Sequence, residues 1–378
     1  MRHAWEARDV STVIRLVRWN TDLSLMALVK LTGLAQSTLS DIVSGKVELK
    51  KTDKINTALE GLRPLPPSHP PLPPLGERAD PHFLPFTHQD AFDLEEMAHA
   101  LSVLERDYTT TSSTPLLARA GQLHGRLIRA VFDGDPTAQG LRARSNLLMG
   151  KLVWDASQRR ETHTSALHLD EAITISRAIG DHTTLAHALL RRAFIPLYSP
   201  PTNSQLALIT ARRAMTTAEQ DPALQALAAL HVSEAHARLD NPRDAEKHLE
   251  HADDLARSVA GLNSRTWQGR RLRIAGSVYL ALDEPARARP VLEQAVGILE
   301  DRPKSHGIAL ANLALTHVRL EEIDGAVATL QHAMDTAHST HGGGATPLIA
   351  AAVRELTPWR TTPVVADVQD LFIDLLTR

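Results

Sequence analysis

The chain has 378 residues, a formal net charge of −3 and no cysteine. The lack of cysteine excludes disulfides, thiolate zinc sites and cysteine nucleophiles, and the charge is not that of a strongly basic nucleic-acid binder. Aromatic residues make up only 4%, whereas Ala, Leu and Arg are abundant, which favours helices over strands. The sequence shows no signal-peptide pattern and no apolar run of membrane-spanning length, so we expect a cytoplasmic, all-α protein of two or three domains.

Residues 1–62 predict a small helical domain. Apolar residues at helical spacing indicate helices at 11–19 and 52–62, and the segment 24–46 predicts two further short helices joined by a tight turn. Gly33 tolerates the positive φ that such a turn requires, and Ser24 is a suitable N-cap for the helix before it. The helix after the turn carries an outward row of small polar side chains that includes Gln36, which suits a helix lying in the DNA major groove.

The segment 24–46 resembles the helix-turn-helix of the Xre/Cro/434-repressor family. Gly33 matches the turn glycine of that motif, Leu39 matches the core residue six positions later, and residues 44–46 match its closing signature. Val29 stands where the family usually has alanine, so we expect the two helices to pack slightly further apart or rotated. The alternative is a generic helical hairpin in which Gly33 is a C-cap and nothing more.

The resemblance implies how this domain would contact double-stranded DNA. Gln36 would read a base through its side-chain amide. The other predicted DNA-contacting residues are, for adjacent bases, Ser37, Thr38, Ser40 and Asp41 and, for phosphates, Ser24, Ser44, Lys46 and Lys50. Residues 1–62 hold nine Lys/Arg against seven Asp/Glu, so the affinity of one protomer should be modest. We therefore expect a homodimer on a palindromic operator, with half-sites about one helical turn apart.

A proline-rich segment follows this domain. Seven prolines between residues 63 and 77 exclude a continuous helix and favour polyproline II. We expect residues 63–87 to form a semi-rigid linker between domains. The alternative is a docking ligand for an aromatic-lined groove.

From residue 88 onwards the sequence predicts helix after helix, with a spaced pattern of alanines. Ala207, Ala245, Ala288 and Ala326 are each followed seven residues later by a second alanine, with an alanine or leucine between them at plus four. The copies are 38, 43 and 38 residues apart, and a weaker copy ends at Ala178. Small residues seven apart share one helix face and let a neighbouring helix come close.

This pattern resembles the tetratricopeptide repeat, where paired alanines lie on the second helix of each helix pair. Gly276 matches the small residue of a first helix, and the turns at 239–242 and 282–285 place a proline near the start of a second helix. The spacing is longer than usual and the closing proline is missing, so the repeats are divergent. The resemblance implies a right-handed helical solenoid over residues 88–378, with capping helices after residue 348. An irregular helical bundle is the alternative.

Counting back from the alanines predicts which side chains of the first helices face inward. Several arginines facing one groove would suit a peptide carboxylate or another anion, and solvated charges on the concave wall are the alternative. The predicted ligand-binding residues are Arg192, Glu234, Arg238, Arg270, Arg273 and Asn312.

No catalytic, metal or cofactor signature accompanies these elements. Gly150 and Lys151 lack the rest of a phosphate-binding loop, and the glycine-rich stretch at 341–344 lacks a nucleophile elbow. His248 and His251 fit a solvated helix face better than a metal site. We therefore do not expect an enzyme.

A Cro-type head followed by tetratricopeptide-like repeats resembles the architecture of bacterial peptide-sensing regulators of the Rgg, PlcR and NprR types and of the arbitrium receptors. The composition fits an actinobacterial relative. The architecture implies a transcriptional regulator whose repeats dimerise and sense a signalling peptide or small molecule, with no membrane partner. The alternative is a protein-interaction scaffold with weak or incidental DNA binding.

Overall fold

Helices account for all regular secondary structure in the part of the chain that the structure describes, which confirms the all-α prediction. The computed structural model describes residues 8–20, 28–29, 32–61, 94–129, 135–259, 264–340 and 344–377. Ser24 and the proline-rich linker at 63–87 lie outside these residues, so their roles stay predictions. The chain folds as two units, Met1–Asp90 and Ala91–Arg378.

The N-terminal unit has one small apolar core. Leu28, Leu39 and Ile42 are completely buried in it, and Val29 packs against it half-buried. Gly33 has a φ of +65°, a conformation that L side chains rarely adopt, and its amide donates to the Val29 carbonyl at 2.9 Å. The turn predicted at Gly33 is therefore present. The described helices of this unit are α1 (Val10–Asn20), α2 (Gln36–Val43) and α3 (Thr52–Gly61).

The C-terminal unit is a series of helix pairs. The two helices of each pair contact each other, and the first helix of each pair also contacts the first helix of the next. This is the predicted tetratricopeptide-like solenoid, with the first helices as an inner row. Its helices are α4 (Leu94–Asp107), α5 (Ser113–Arg129), α6 (Pro136–Ala156), α7 (Thr162–Ile179), α8 (His182–Tyr198), α9 (Ser204–Thr217), α10 (Pro222–Ala237), α11 (Pro242–Ser258), α12 (Arg265–Ala281), α13 (Pro285–Ile298), α14 (Pro303–Arg319), α15 (Ile323–Thr340), α16 (Ala345–Glu355) and α17 (Pro363–Thr377).

The paired alanines lie on second helices, as predicted. Ala288 and Ala295 of α13 are completely buried, and the corresponding alanines of α9, α11 and α15 are buried in the same way. Leu292 lies midway between the α13 alanines and packs against Gly276 of α12, where an added Cβ would overlap the leucine side chain. The small residues therefore set how closely the two helices of a pair approach.

The earliest copy of the alanine pattern occupies other residues of α7 than the sequence predicted, so its frame, meaning the set of residues at the repeat spacing, is different. Ala178 is exposed on α7, whereas Ser165, Leu169 and Ala172 are the buried residues at this spacing. Ser165 takes the place of the first alanine, and its hydroxyl donates to the Gly150 carbonyl of α6 at 2.8 Å. The prediction of a copy ending at Ala178 is wrong because a serine that satisfies its own hydroxyl replaces an alanine at this helix contact.

Three turns between paired helices contain a residue in the left-handed conformation. Asp240, Asp283 and Glu321 have φ values of 57°, 58° and 60°. Pro242 and Pro285 begin the second helices that follow the first two of these turns, as predicted. The third turn places a glutamate where the backbone favours glycine, asparagine or aspartate.

We expect Glu321→Gly to raise the free energy of unfolding by about 0.5–1 kcal/mol, because glycine adopts this φ without a steric cost. The matched control is Glu250→Gly, which places glycine at an exposed position inside α11 and should lower the free energy of unfolding by about 1 kcal/mol. Urea denaturation measures both values. Equal destabilisation by the two variants would contradict the strain assigned to Glu321.

Candidate ligand-binding cavity and DNA-contacting surface

A cavity of about 310 Å³ lies within the C-terminal unit. Its lining comes from the inner helices α4, α6, α8, α10, α12 and α14, from the turns beside them, and from Leu348 of α16. The charged lining residues are Glu105, Lys151, Asp155, Arg159, Arg191, Glu234, Arg238, Arg270, Arg273, Arg302 and Lys304.

The packing of α10 explains how polar side chains come to be buried at this site. This helix contacts α8, α9, α11 and α12, so its residues are buried on nearly every side. His231 and Glu234 project from it into the cavity and are 4% and 1% exposed. Buried polar groups need hydrogen-bond partners, and both find them on neighbouring helices.

Glu234 is a buried carboxylate that joins three helices. The Tyr198 hydroxyl of α8 donates to it at 2.5 Å, the Ser277 hydroxyl of α12 at 2.8 Å, and the Arg238 guanidinium at 3.1 Å. Burial raises the pKa of this carboxyl, but the hydrogen bonds and the charge of Arg238 outweigh burial and hold the pKa well below its usual range. Glu234 is therefore ionised and already fully engaged.

The other two carboxylates of the lining are engaged as well. Asp155 accepts a hydrogen bond from the Tyr108 hydroxyl at 2.6 Å. Glu105 accepts two hydrogen bonds from the Arg144 guanidinium, at 2.5 and 3.2 Å. All three acids of the cavity thus have partners within the protein.

Lys304 at the start of α14 connects two distant parts of the inner row. Its ammonium group donates to the Tyr108 carbonyl at 2.7 Å and to the Ser113 hydroxyl at 2.8 Å. It also lies 4.5 Å from the centre of the Tyr108 ring, a cation–π distance. Lys304 lies 196 positions from Tyr108 and 191 positions from Ser113 in sequence. The contact therefore joins the region around α14 to the region between α4 and α5, beside the cavity.

The cavity has a large excess of positive charge. Eight Lys/Arg line it against three Asp/Glu. Among the described residues, Arg238 is the one lining cation that forms an ion pair, and the other seven have no carboxylate within 4 Å. The three lining acids therefore compensate only part of the positive charge that is concentrated here.

Burial and mutual repulsion both act on these cations. Burial lowers the pKa of Arg270 to about 10, with contributions from the charges of Arg191 and Arg273. Burial likewise lowers the pKa of Lys151 to about 7, with a contribution from Arg191. Each of these shifts means that the charged form is held in an unfavourable environment.

Two arginines of the cavity lining have a buried side-chain nitrogen without a hydrogen-bond partner among the described atoms. The Nε atoms of Arg159 and Arg273 are inaccessible to solvent, and neither has a hydrogen-bond partner among the described atoms. The Arg159 guanidinium lies 4.9 Å from the centre of the Trp154 ring and 5.0 Å from that of Tyr198. Aromatic rings therefore hold the Arg159 guanidinium, while part of its hydrogen-bonding capacity is unused.

The structure brings together most of the predicted ligand-binding residues. Glu234, Arg238, Arg270, Arg273 and Asn312 all line the cavity.

Arg192 is absent from the lining, although the repeat spacing predicts that it faces inward. Its Nε pairs instead with Asp170 of α7 at 2.9 Å, and Arg191 faces the cavity. Five residues separate α8 from α9, whereas three separate α12 from α13. Counting back from Ala207 across this longer turn therefore ends one residue away from the cavity position.

Sequence reasoning missed several lining cations, including Lys151, Arg159 and Lys304. Lys151 lies on α6, which the misplaced frame at Ala178 concealed. With Ser165 as the anchor, Lys151 falls fourteen residues before it, the same offset that relates Asn312 to Ala326. Arg159 and Lys304 lie beside turns, where the repeat pattern carries no signal.

The predicted DNA-contacting residues form an accessible surface on the N-terminal unit. Leu39 and Ile42 of α2 face the core, and the opposite side of this helix carries the polar row. Gln36, Ser37, Ser40, Ser44, Lys46 and Lys50 are exposed, and Thr38 and Asp41 are half-buried.

The histidines and acids of the described ranges form no cluster suited to a metal ion, since no three of their side chains are placed to share one. His248 stacks against His236 with ring centroids 5.2 Å apart and contacts the Asp244 carbonyl at 2.8 Å. None of the helices in the same part of the chain combines the length and apolar character needed to cross a membrane.

Several solved proteins are similar in structure to this chain. NprR in complex with its cognate peptide NprX matches with a TM-score of 0.52 at 13% identity, over 89% of this chain and 82% of that one. A Rap protein complexed with competence and sporulation factor matches at 0.46 and 11%, over 75% and 98%. Apo NprR from B. thuringiensis matches at 0.45 and 12%, over 96% and 97%. No protein-family model and no curated protein matches the sequence. At this identity, the similarity to NprR establishes the helical-solenoid fold.

Proposed function

We propose that this chain is a sequence-specific, DNA-binding transcriptional regulator with a helix-turn-helix of the Xre/Cro type. Its repeat unit dimerises and binds a peptide or small-molecule signal in the cavity. The observation that carries the sensing role is the cavity itself, where seven of the eight lining cations form no ion pair with a described residue. The fold match to NprR, which was solved with a cognate peptide, supports a ligand for this unit.

The exposed face of α2 supports the DNA-binding role. Small polar side chains on one helix face, opposite buried Leu39 and Ile42, are what major-groove recognition requires. A ligand that binds one arrangement of the repeats better than another shifts the population of dimers able to span two half-sites. Ligand binding thus changes DNA affinity without contacting DNA.

We expect the full-length protein to select a defined, palindromic sequence from random DNA. Gln36→Ala should then lose about 1–3 kcal/mol of discrimination between that sequence and a scrambled one, because the amide makes the base contact. The matched variant Lys46→Ala should weaken binding to the selected and the scrambled DNA equally. It should also reduce the salt dependence of binding, because it removes a phosphate contact. Fluorescence anisotropy at several salt concentrations measures all three effects.

Two outcomes would contradict this proposal. Unchanged sequence preference in Gln36→Ala would remove Gln36 from base recognition. Failure to select any consensus from random DNA would favour the protein-interaction scaffold instead.

A further inference from the structure

Neighbouring arginines on the inner helices have opposite environments. Arg191 and Arg270 line the cavity, and neither forms an ion pair with a described residue. The residues that follow them in sequence point elsewhere and are paired: Arg192 with Asp170 at 2.9 Å and Arg271 with Asp253 at 2.6 Å. In both of these neighbouring pairs, an acid compensates the arginine that points away from the cavity and none pairs with the arginine that lines it.

We infer that the cavity is a site for a compact anion with two or more phosphate or carboxylate groups, held by Arg191, Arg270 and Arg273. This inference rests on the proposed sensing function and narrows its ligand class. The three arginines project from α8 and α12 into the same space. A guanidinium presents its donors in a planar fork that matches phosphate and carboxylate oxygens.

The sign of the ligand charge follows from the lining groups that already have hydrogen-bond or ion-pair partners within the protein. The three carboxylates of the cavity already accept hydrogen bonds from protein groups, and the cations around them outnumber them, so the site disfavours a cationic ligand. Eight cations against three acids leave a formal excess of five positive charges. A singly charged ligand compensates a small part of this excess, whereas a polyanion compensates several cations at once.

The unfilled hydrogen-bonding capacity of the lining agrees with this ligand class. The buried Nε of Arg273 has no partner among the described atoms, and a buried donor without an acceptor costs free energy. The rest of the side chain is half-buried and lines the cavity, so an anion bound there compensates the charge of this guanidinium. The size also agrees, because about 310 Å³ lies at the small end of the range for small-molecule sites.

The arginine cluster is expected to lower the stability of the ligand-free protein. Like charges that outnumber the acids around them repel one another, so removing one of them stabilises the fold. We expect Arg270→Gln to raise the melting temperature of the ligand-free protein by about 2–4 °C. Arg271→Gln, which breaks an ion pair with Asp253, should not raise it.

Isothermal titration calorimetry on the full-length protein tests the site directly, at constant ionic strength set with chloride. The probes are inorganic tripolyphosphate, citrate and, as a neutral molecule, trialanine amide acetylated at its N-terminus. We expect saturable binding of one or both anions and none of the neutral peptide. Binding of tripolyphosphate but not citrate indicates that the natural ligand is a phosphate ester. Binding of citrate but not tripolyphosphate indicates a polycarboxylate such as an acidic peptide.

The variants assign the binding to the cavity. Arg191→Gln, Arg270→Gln and Arg273→Gln should each weaken anion binding by about tenfold or more, equivalent to about 1.4 kcal/mol. Arg192→Gln and Arg271→Gln should leave it unchanged. Equal weakening by the variants of the paired and unpaired arginines would overturn the inference, as would a lower melting temperature for Arg270→Gln than for Arg271→Gln.

The two proposals fail in different ways. Binding of the neutral peptide without either anion overturns the anion site and leaves ligand sensing intact. Failure to select a DNA sequence overturns the regulator and leaves the anion titration unaffected.

Discussion

Glu234→Gln is expected to lower the free energy of unfolding by about 3 kcal/mol. The substitution keeps the shape of the side chain but removes the charge that pairs with Arg238 and accepts from Tyr198 and Ser277. Removing one partner of a buried ion pair leaves the charge of the other uncompensated. Here the substitution also increases the excess of positive charge in the cavity. Urea denaturation at neutral pH measures the loss.

Glu293→Gln is the matched control for this substitution. Glu293 accepts from Arg289 at 2.9 Å on the exposed surface of α13, and its side chain is 48% exposed. Solvent screens an exposed pair of this kind, so its loss should change the stability much less than the loss of the Glu234 charge. If both glutamine variants unfolded at the same urea concentration, this result would contradict the structural role assigned to Glu234.

The effect of Glu234→Gln should also depend on pH. The pKa of Glu234 in the folded protein lies below its ordinary value of 4.5, so its stabilisation is fully present above that pH. It is lost as the pH falls towards the folded-state pKa, because the native carboxylate must then take up a proton. The difference in stability between the wild type and Glu234→Gln should therefore be constant from pH 6 to 8 and narrow below about pH 4.5.

Gly276→Val is the second substitution with a large expected effect, a loss of about 3 kcal/mol of unfolding free energy. Gly276 of α12 faces Leu292 of α13, and even a Cβ would overlap the buried leucine side chain. The two helices must separate, and their separation disturbs the buried alanines on either side of Leu292. Thermal and urea denaturation both detect the change.

Gly297→Val supplies a control of the same chemistry on the same helix pair. An added Cβ at Gly297 meets no heavy atom within 4 Å, so the variant should differ from the wild type by less than about 0.5 kcal/mol. A similar loss in both valine variants would contradict the effect assigned to the close approach at Gly276, because valine at the open position Gly297 meets no neighbour.

The repeat architecture could be predicted because its signal is local. Ala288, Leu292 and Ala295 occupy one face of a single helix, so their spacing indicates the contact before any partner is known. The turn at Gly33 was predictable for the same reason, since positive φ restricts the choice of residue. Where a serine replaced an alanine, at Ser165, the pattern no longer indicated the correct frame.

The cavity depends on contacts that no local pattern encodes. A shift of one residue turns a side chain by about 100° around a helix, so a longer turn exchanged Arg191 for Arg192. The contact of Lys304 with Tyr108 joins residues 196 positions apart, and the closure of the inner row decides which cations meet. The amino-acid pattern was thus sufficient for the helices, their pairing and the exposed polar face of α2, because those features arise within one helix or between adjacent ones. The concentration of unpaired positive charge emerged with the folded solenoid, because the superhelical path places α6, α8, α12 and α14 around one cavity.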